Sequence, residues 1–378
     1  MEATIEAFAD AEEMAVAAGL VYVSDEMPGI KRVRRPNGFS YLRADGKEIT
    51  AEAELARIAR LAIPPAYEDV WICSNVRGHL QATGRDARKR KQYRYHQQWR
   101  QLRDGVKFMR MIEFGEALPR LRRRLARDLS QPGLPREKVL AVVVSLLDAT
   151  RVRVGNAEYA RDNDSYGLTT LRNRHVKFIR DGRILLRFRG KGGAEHEVKV
   201  DDRRLARLVR RCHELPGQSL FQYVDDEGAR HPVDSDQVNA YLKEAMGADF
   251  TAKDFRTWGA TLRAIALMGC TPKPEKPSEA AMKSCITSAI KQVAAELRNT
   301  PAVCRKSYIN PIVFEAWRDG RLHKVYAEDF SAAPRKAERL ALVFLRTASR
   351  PVRAMRKRPA RSNATNREAI SRETKMCA

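Results

Sequence analysis

The apolar positions follow two different periods and divide the chain into a strand-rich first part and a mainly helical second part. Between residues 37 and 105 they recur in short runs that are typical of half-buried strands. Asp45-Gly46 separates two of these runs, 40–43 and 47–49, and favours a tight hairpin turn. A helix is predicted over 55–62, because Pro64-Pro65 would end it. The other runs predict strands at 69–73, 80–83 and 92–95.

Helical periodicity dominates the rest of the chain. The segment 139–147 is apolar on nearly every side, which predicts a buried helix. The exception is 174–200, where Asp181-Gly182 and a Gly-Lys-Gly-Gly turn separate three strand-length runs. We interpret this segment as a three-stranded antiparallel meander. Helices are predicted over 100–128, 203–212, 236–246, 253–268 and 278–297.

The chain between 298 and 311 is dense in signals that end and begin helices. Asn299 is expected to end the preceding helix in a left-handed conformation, and Pro301 makes continuation unfavourable. Asn310-Pro311 predicts a cap and a first-turn proline for another helix. Tyr308 is therefore expected on a short connector, where its hydroxyl can face a groove. A half-buried tyrosine bonded to backbone or water is the ordinary alternative.

Together these patterns predict an α+β protein with two lobes. The first lobe is a small antiparallel β-sheet with helices, and the second is mainly α-helical and carries the meander. The predicted divisions are an N-terminal lead at 1–36, a β-rich lobe at 37–105, a larger C-terminal lobe at 106–334 and a disordered basic tail at 335–378. The tail carries 13 Lys or Arg against 3 acidic residues.

Charge narrows the choice of partner. The chain of 378 residues has 71 Lys and Arg against 47 Asp and Glu, a net charge of +24 and a pI of about 10.1. Such an excess favours a polyanion, above all nucleic acid. A ribosomal or membrane-surface role would also explain the charge. However, the length and the 43% hydrophobic content favour a folded enzyme or binding protein.

Cysteine and histidine usage gives no sign of a metal site. Six cysteines are scattered without a CxxC pair, which is typical of free thiols in a reducing compartment. The seven histidines form no cluster with metal-ligand spacing, so no metal is expected. The acidic N-terminus is unlike a signal peptide, and no apolar run reaches membrane-spanning length. We therefore expect a cytoplasmic protein, associated with the nucleoid and not with a membrane.

One basic stretch of the first lobe is interleaved with aromatic residues. Seven basic residues and one acidic residue occur from Arg85 to Arg100. Cations can neutralise phosphates while rings pack on sugars or base edges. Tyr93 and Tyr95 would share one face of a strand. A solvated surface would also account for the charge, but the alternating Gln and Tyr favour DNA. The predicted DNA contacts here are Arg88, Lys89, Lys91, Gln92, Tyr93 and Tyr95.

Four residues of the second lobe have candidate roles in phosphate chemistry. Arg153 lies between valines beside the predicted buried helix, where a guanidinium is costly unless it meets an anion. Lys191, isolated between glycines, could swing into a phosphate site, although such lysines are usually only solvated. Arg256 is expected in the first turn of its helix, where free amides favour phosphate, or else as a salt-bridged surface residue. Tyr159 follows the Arg153 motif and is a candidate DNA contact.

Taken in order, Arg153, Lys191, Arg256, Asn299 and Tyr308 resemble the active site of the type IB DNA topoisomerases, in the poxvirus and bacterial branch. The resemblance covers most of residues 80–315. Its motifs are Gly84 to His96, Arg153-Val154-Gly155-Asn156, Gly167-Leu168-Thr169-Thr170-Leu171, His175, Phe188-Arg189-Gly190-Lys191, Lys253-Asp254-Phe255-Arg256-Thr257 and Asn299-Thr300-Pro301 with Tyr308. It implies a monomeric, bilobed clamp around duplex DNA, with the catalytic fold that tyrosine recombinases share.

The resemblance also implies a mechanism. Tyr308 would attack a DNA phosphodiester and form a 3′-phosphotyrosyl bond, with Lys191 as the general acid for the leaving 5′ oxygen. Arg153, Arg256 and Asn299 would hold the non-bridging oxygens. One phosphodiester replaces another, so no ATP is needed to relax positive and negative supercoils, and the scheme requires neither a cofactor nor a metal. The fourth residue of the ordered set is usually His in viral and eukaryotic members. Asn299 cannot titrate, so the resemblance implies that it donates a hydrogen bond and does no acid–base work.

Two other functions remain open on the sequence. Tyrosine recombinases share much of the pentad but carry a histidine three residues before the second arginine, where this chain has Lys253, a candidate phosphate contact. A non-catalytic DNA-binding protein would explain the net charge equally well. It would not explain an isolated lysine between glycines, nor the nine-residue spacing from Asn299 to Tyr308.

Overall fold

A computed structural model describes residues 11–325 and 334–348 of the chain, and its architecture is α+β, as predicted. The first part contains a five-stranded antiparallel sheet in the order β2-β1-β3-β4-β5. A small core lies between this sheet and α2, and includes Ile30, Ile58 and Ile72. The elements are α1 (Ala11–Ala17), β1 (Ile30–Arg35), β2 (Gly38–Leu42), α2 (Glu52–Arg60), β3 (Glu68–Ile72), β4 (Leu80–Arg85) and β5 (Lys91–Tyr95).

The first hairpin differs from the prediction. Asp45-Gly46 does form a turn, but the run 47–49 contributes only one isolated bridge, between Leu42 and Glu48. The true partner of β2 is β1, which the sequence analysis assigned to the N-terminal lead. Its basic composition hid this strand. The Arg32 guanidinium donates to the carbonyls of Pro64 (3.1 Å) and Tyr67 (2.6 Å), which makes a charged residue compatible with the sheet.

A 33-residue helix, α3 (Gln97–Leu129), joins the two parts of the molecule. It begins at His96, whose side chain accepts a hydrogen bond from the Gln98 backbone. Near this end Trp99 packs with Ala15 and Leu20 of the first part. Further along, Phe114 is buried in the core of the second part. At 1.5 Å per residue the helix is about 50 Å long, and the predicted division between 105 and 106 falls inside it.

The second part surrounds α4, which is buried along most of its length, as the apolar run 139–147 predicted. It contacts α3, α6, α7 and α8. In the described ranges, no helix combines the length and apolar composition that crossing a membrane requires. The helices are α4 (Arg136–Thr150), α5 (Ala157–Asn163), α6 (Arg203–His213), α7 (Ser235–Met246), α8 (Ala252–Gly269), α9 (Glu279–Leu297), α10 (Pro301–Ser307), α11 (Ile312–Asp319), α12 (Arg321–Val325) and α13 (Pro334–Ala348).

The predicted meander is present, with strand order β6-β7-β8. Asp181 and Gly182, at the first turn, both have positive φ (69° and 71°), which Asp and Gly tolerate best in turns. The second turn, which carries Lys191, connects β7 to β8. The strands are β6 (Val176–Ile179), β7 (Arg183–Arg189) and β8 (Glu195–Val200), and a separate small hairpin consists of β9 (Gln222–Val224) and β10 (Arg230–Pro232).

The prediction of a disordered tail from 335 was wrong for its first 14 residues, because they belong to α13. Ala341, Phe344 and Leu345 are buried in the main core. Arg346 of α13 also forms an ion pair with Glu116 of α3. The many basic residues masked an apolar stripe of helical spacing. The rest of the predicted tail, 349–378, lies outside the described residues.

Candidate active site

Tyr308 lies at the C-terminal end of α10, immediately before α11. The connector predicted between two helices is thus itself a short helix, capped by the Thr300 side chain and begun by Pro301. Asn310 accepts a hydrogen bond from the Ile312 backbone, as expected of a cap. Tyr308 is only 8% exposed. Its side chain nevertheless lines a cavity of about 1420 Å³, together with Arg153, Lys191 and Arg256.

Arg256 is buried and connects three segments of the site. It is the fifth residue of α8, so it lies just beyond the first turn in which it was predicted, and it is only 3% exposed. Its guanidinium donates to the backbone carbonyls of Arg151 and, at 3.0 Å, Leu297. These carbonyls end the helices that precede Arg153 and Asn299. The same guanidinium lies 5.1 Å from the centroid of the Tyr308 ring.

The charge of Arg256 acts on the phenol of Tyr308. Burial alone would raise the pKa of Tyr308, because an apolar surrounding disfavours phenolate. Arg256, and more weakly Arg153 and Lys253, oppose this effect and bring the pKa below its usual value. Conversely, burial lowers the pKa of Arg256. The surroundings of Tyr308 therefore make its phenol more acidic than burial alone would leave it.

Arg153 and Asn299 are joined by a hydrogen bond of 2.7 Å from Nη2 to Oδ1. A guanidinium has no acceptor, so the carbonyl end of the Asn299 amide must face Arg153. In this orientation the other end of the amide, Nδ2, points away from Arg153. It is buried and has no hydrogen-bond partner within the described part of the chain. A buried, unpaired donor is costly unless a ligand satisfies it. The arrangement suits a phosphate oxygen.

The left-handed residue at the end of α9 is Arg298, not Asn299 as predicted. Arg298 has φ 51° and ψ 57°. Its side chain donates to the carbonyl of Glu197 on β8. This contact ties the helix end to the meander and places the left-handed turn one residue earlier. Asn299 is thereby left free to bond Arg153.

Lys191 is exposed, at the tip of the turn between β7 and β8. Its Nζ lies 5.6 Å from the centroid of the Tyr159 ring, on α5. Gly192 and Gly193 both have positive φ, 82° and 81°, which favours glycine. Lys191 thus borders the same cavity as Tyr308 but is held by a cation–π contact in place of hydrogen bonds.

Buried His196 supports the turn that carries Lys191. Its ring stacks on Phe188, 4.9 Å between centroids, and a Cβ on Gly190 would overlap it. Burial, and the nearby Arg298, Arg153 and Arg256, lower the pKa of His196 to about 4. The imidazole is therefore neutral at physiological pH. In residues 11–325 and 334–348, no three His, Cys, Asp or Glu side chains are grouped where they could hold a metal ion.

Two family models match the chain, and together they cover both of its parts. The model of the eukaryotic DNA topoisomerase I catalytic core matches residues 96–318. That of the bacterial DNA topoisomerase IB N-terminal domain matches residues 38–86. Among individual proteins, DNA topoisomerase 1B of Acanthamoeba polyphaga mimivirus is 35% identical over 298 residues, 78% of this chain and 88% of the viral protein.

The chain belongs to the type IB DNA topoisomerases. A more distant relative, DNA topoisomerase 1B of Vaccinia virus (strain Copenhagen), is 24% identical over 254 residues, 67% of this chain and 76% of the viral protein. The topoisomerase is thus a DNA-binding isomerase, as the sequence analysis predicted. This membership decides against the recombinase and the non-catalytic DNA-binding protein.

The basic strand β5 of the topoisomerase has the predicted geometry, with tyrosines on one face. Tyr93 and Tyr95 stack at 5.9 Å and 10°, and Tyr93 is 48% exposed. Two of the predicted lysines are already paired: Lys91 with Asp25 at 2.6 Å, and Lys89 with Glu68. Gln92 donates to Asp86 at 3.1 Å. Whether these side chains contact DNA stays a prediction.

The turn between β4 and β5 of the topoisomerase borders the cavity of Tyr308. Arg88, Lys89 and Arg90 line this cavity from the first part, opposite Tyr159 and Lys253 from the second. Asp86 and, more weakly, Tyr159 raise the pKa of Arg90. Arg90 was not among the predicted contacts, although it lies in the basic stretch, because spacing alone did not distinguish it from its neighbours.

The sequence analysis also missed residues of α8 that contact the backbone or side chains around the topoisomerase site. Thr261 is fully buried on α8, where its hydroxyl donates to the Tyr308 carbonyl and accepts from the Asn310 amide, both at 3.1 Å. Gly259, on the same helix, leaves room for the Arg151 side chain. Neither residue belongs to a motif that signals catalysis. Only their three-dimensional contacts identify them.

Proposed function

We propose that Tyr308 is the nucleophile of this topoisomerase. Its phenol oxygen would form a bond to a DNA phosphorus while the bond from that phosphorus to the 5′ oxygen breaks. The phenol proton is lost to solvent, and the protein remains on the 3′ end of the cleaved strand. The observation that carries this proposal is the position of Tyr308 beside the buried guanidinium of Arg256.

Arg153, Arg256 and Asn299 would bind the non-bridging oxygens of the reacting phosphate. The geometry supporting this role is the bond from Arg153 to Asn299, which leaves the amide Nδ2 as a buried donor without a partner in the described chain. Groups already fixed in place stabilise a transition state without reorganising. One such donor contributes roughly 3–4 kcal/mol. Toward the phosphate Asn299 would act as a hydrogen-bond donor and not as an acid or base, because an amide does not titrate.

Lys191 would be the general acid. An ammonium can give up a proton to the leaving 5′ oxygen, whereas a guanidinium effectively cannot. Its position on the border of the Tyr308 cavity supports this role, and its exposed turn could bring it to the phosphate once DNA is bound. Rejoining reverses the steps, and one phosphodiester replaces another. The reaction therefore needs no ATP, and in this scheme the side chains of Arg153, Lys191 and Arg256 supply the positive charge, so no metal is required.

The substrate we propose is duplex DNA held between the two parts of the molecule by a single protein copy. The basic residues that border the cavity from both sides support this arrangement. They include Arg88 and Lys89 from one side and Lys253 from the other. Gln92, Tyr93, Tyr95 and Lys91 on β5 would extend the contact, and Tyr159 would reach the DNA from α5. Lobes at 37–105 and 106–334 would form the clamp.

Two further assignments are proposals about the protein's setting. The match of residues 38–86 to the bacterial N-terminal domain supports the bacterial branch of the family. Asn299, in place of the usual histidine, agrees with that branch. For such a protein we propose a cytoplasmic location on the nucleoid.

The deciding experiment is relaxation of negatively and positively supercoiled plasmid in EDTA without ATP, stopped with detergent to trap protein on DNA. We expect relaxation of both signs and an adduct on the 3′ end through Tyr308. Tyr308→Phe should bind DNA with nearly unchanged affinity and form no adduct. Residual cleavage by that variant would refute Tyr308 as the nucleophile. Adducts at one defined sequence, followed by strand exchange, would instead indicate recombination.

A further inference from the structure

Lys107, on the helix that joins the two parts of the molecule, contacts the backbone next to Tyr308. Its ammonium donates a hydrogen bond to the carbonyl of Ser307, a residue 200 positions further along the chain. Lys107 is half-buried, and its Nζ also lies 4.5 Å from the centroid of the Phe108 ring. The Ser307 carbonyl belongs to the last turn of α10, where carbonyls lack partners inside the helix.

The surroundings of Lys107 indicate that this contact is a specific one. Burial lowers the pKa of Lys107 to about 8. Asp104 and Asp254 oppose this effect, whereas Lys253 and Arg103 add to it. Within the described residues, the only hydrogen bond of the ammonium is to Ser307. A partly buried cation that bonds a carbonyl is costly to maintain, so a structural surface role explains it poorly.

The two peptide groups on either side of the Tyr308 Cα are both held by side chains. Lys107 holds the carbonyl of the preceding peptide, and Thr261 holds the carbonyl of the following one. Because peptide groups are planar, fixing both carbonyls restricts φ and ψ of Tyr308. These two angles determine where the Cα–Cβ bond points. The two contacts therefore direct the phenol into the cavity.

We propose that Lys107 is a positioning residue for cleavage, which holds the backbone of Tyr308 in the orientation for attack; this inference rests on the proposed role of Tyr308. Lys107 acts through Ser307 and need not touch DNA. Since α3 begins next to the sheet of the first part, where Trp99 is packed, Lys107 also links the nucleophile to the helix that carries that sheet.

The test compares Lys107→Met, Lys107→Arg and Lys291→Met. Methionine keeps the aliphatic stem and helix propensity but removes the donor, whereas arginine keeps a charged donor. Lys291 is an exposed lysine of α9, so its variant controls for the loss of one charge. Single-turnover adduct formation is measured at saturating duplex DNA, at a cleavage site first mapped with the wild-type protein. DNA affinity and its salt dependence are measured in parallel.

We expect Lys107→Met to slow cleavage about a hundredfold at saturating DNA, the effect of a small misplacement of a reacting group. Its Kd should stay within twofold of the wild type, Lys107→Arg should recover most of the rate, and Lys291→Met should cleave normally. A 5′-bridging phosphorothiolate substrate should not rescue Lys107→Met, because a better leaving group does not reposition the nucleophile. Circular dichroism and Tm check that the variants fold.

Three outcomes would overturn the inference. In the first, Lys107→Met cleaves as fast as Lys291→Met. In the second, it binds more weakly, its salt slope falls by about one, and cleavage is normal at saturation; Lys107 would then be a phosphate contact. In the third, Lys107→Met is unfolded, and Lys107→Arg is folded but cleaves about a hundredfold more slowly than the wild type, although it keeps a charged donor. A parallel reaction with Tyr308→Phe tests the proposed function separately. If that variant still forms the adduct, Tyr308 is not the nucleophile and the proposed function fails.

Discussion

The surroundings of Tyr308 and those of Lys191 serve the same proposed reaction but are held in opposite ways. Tyr308 and Arg256 are buried, and hydrogen bonds to backbone groups fix them. Lys191 is exposed on a turn with two glycines and rests against the ring of Tyr159. The difference teaches that the protein alone fixes the groups proposed to stabilise charge, whereas it does not fix the lysine proposed as the proton donor.

The same contrast extends to the energetic cost of each arrangement. Arg256 lies in the interior, where its two terminal nitrogens donate to the carbonyls of Arg151 and Leu297. Lys191 remains near water and loses little solvation. A fixed, desolvated cation acts strongly on a nearby phosphate, because the local dielectric is low. Substitutions in the two regions should therefore differ in their effect on stability as well as on rate.

Arg256→Ala should have the largest effect. It removes two or more donors to the phosphate, each worth about 10²–10³ in rate, so single-turnover cleavage should fall about 10⁴-fold or more. The Arg151 and Leu297 carbonyls would lose their partner, which should also lower the Tm. Arg263→Ala, an exposed variant on the same helix, removes an ion pair with Glu296 and should change neither quantity appreciably. Near-normal cleavage by Arg256→Ala would contradict the proposal that the buried Arg256 stabilises charge on the reacting phosphate.

Lys191→Ala should slow cleavage about a thousandfold, within the range of general acid catalysis. Unlike Arg256→Ala it should leave the Tm unchanged, because Lys191 is exposed. A substrate with a 5′-bridging phosphorothiolate should restore the rate, since a thiolate leaves without protonation. Lys199→Ala, in the same meander, is the matched control. Without rescue, Lys191 would not be the general acid.

Asn299→Ala should slow cleavage about a hundredfold, the loss of one preorganised donor. The variant also frees the Arg153 guanidinium from its bond to Oδ1. Asn299→His keeps a donor and should lose less than Asn299→Ala. Both rates are measured in single turnover at saturating DNA. If Asn299→Ala matched the wild type, the unpaired Nδ2 would have no role in phosphate binding.

The smallest effects are expected at the basic edge of the first part. Arg88→Met should weaken binding a few-fold and lower the salt slope by about one, as one phosphate contact is lost. Lys91→Met should change the slope less, because Lys91 must leave Asp25 before it can meet DNA. Binding titrations at several salt concentrations measure both slopes. Equal slopes for the two variants would show that the pairing with Asp25 does not matter.

Much of the fold could be predicted from local pattern. The meander followed from turn chemistry at Asp181-Gly182, and α4 from its continuous apolar run. The ordered set from Arg153 to Tyr308 was recognisable through its resemblance to the active site of the type IB DNA topoisomerases. The hydrophobic pattern failed to predict two elements in which many charged residues surround the apolar positions. Strand β1 and helix α13 both carry apolar positions among many basic residues.

The support of the site could not be predicted, because it depends on contacts between distant segments. Lys107 and Ser307 are 200 positions apart in the chain and meet only in the folded protein. Thr261 looks like an ordinary helix residue until its hydroxyl is seen between Tyr308 and Asn310. Arg256 was expected in the first turn of its helix, and its burial was not predicted, since a buried arginine requires partners that the sequence does not identify.

The short helix α10 also determines which changes of length the chain can accept. It spans seven residues, about two helical turns, between Asn299 and Tyr308. One inserted or deleted residue would rotate all that follows by about 100° around the helix axis. The phenol would then face away from Arg256. The exposed turn at Lys191 has no such angular requirement, so insertions and deletions should be far less damaging there than between Thr300 and Ser307.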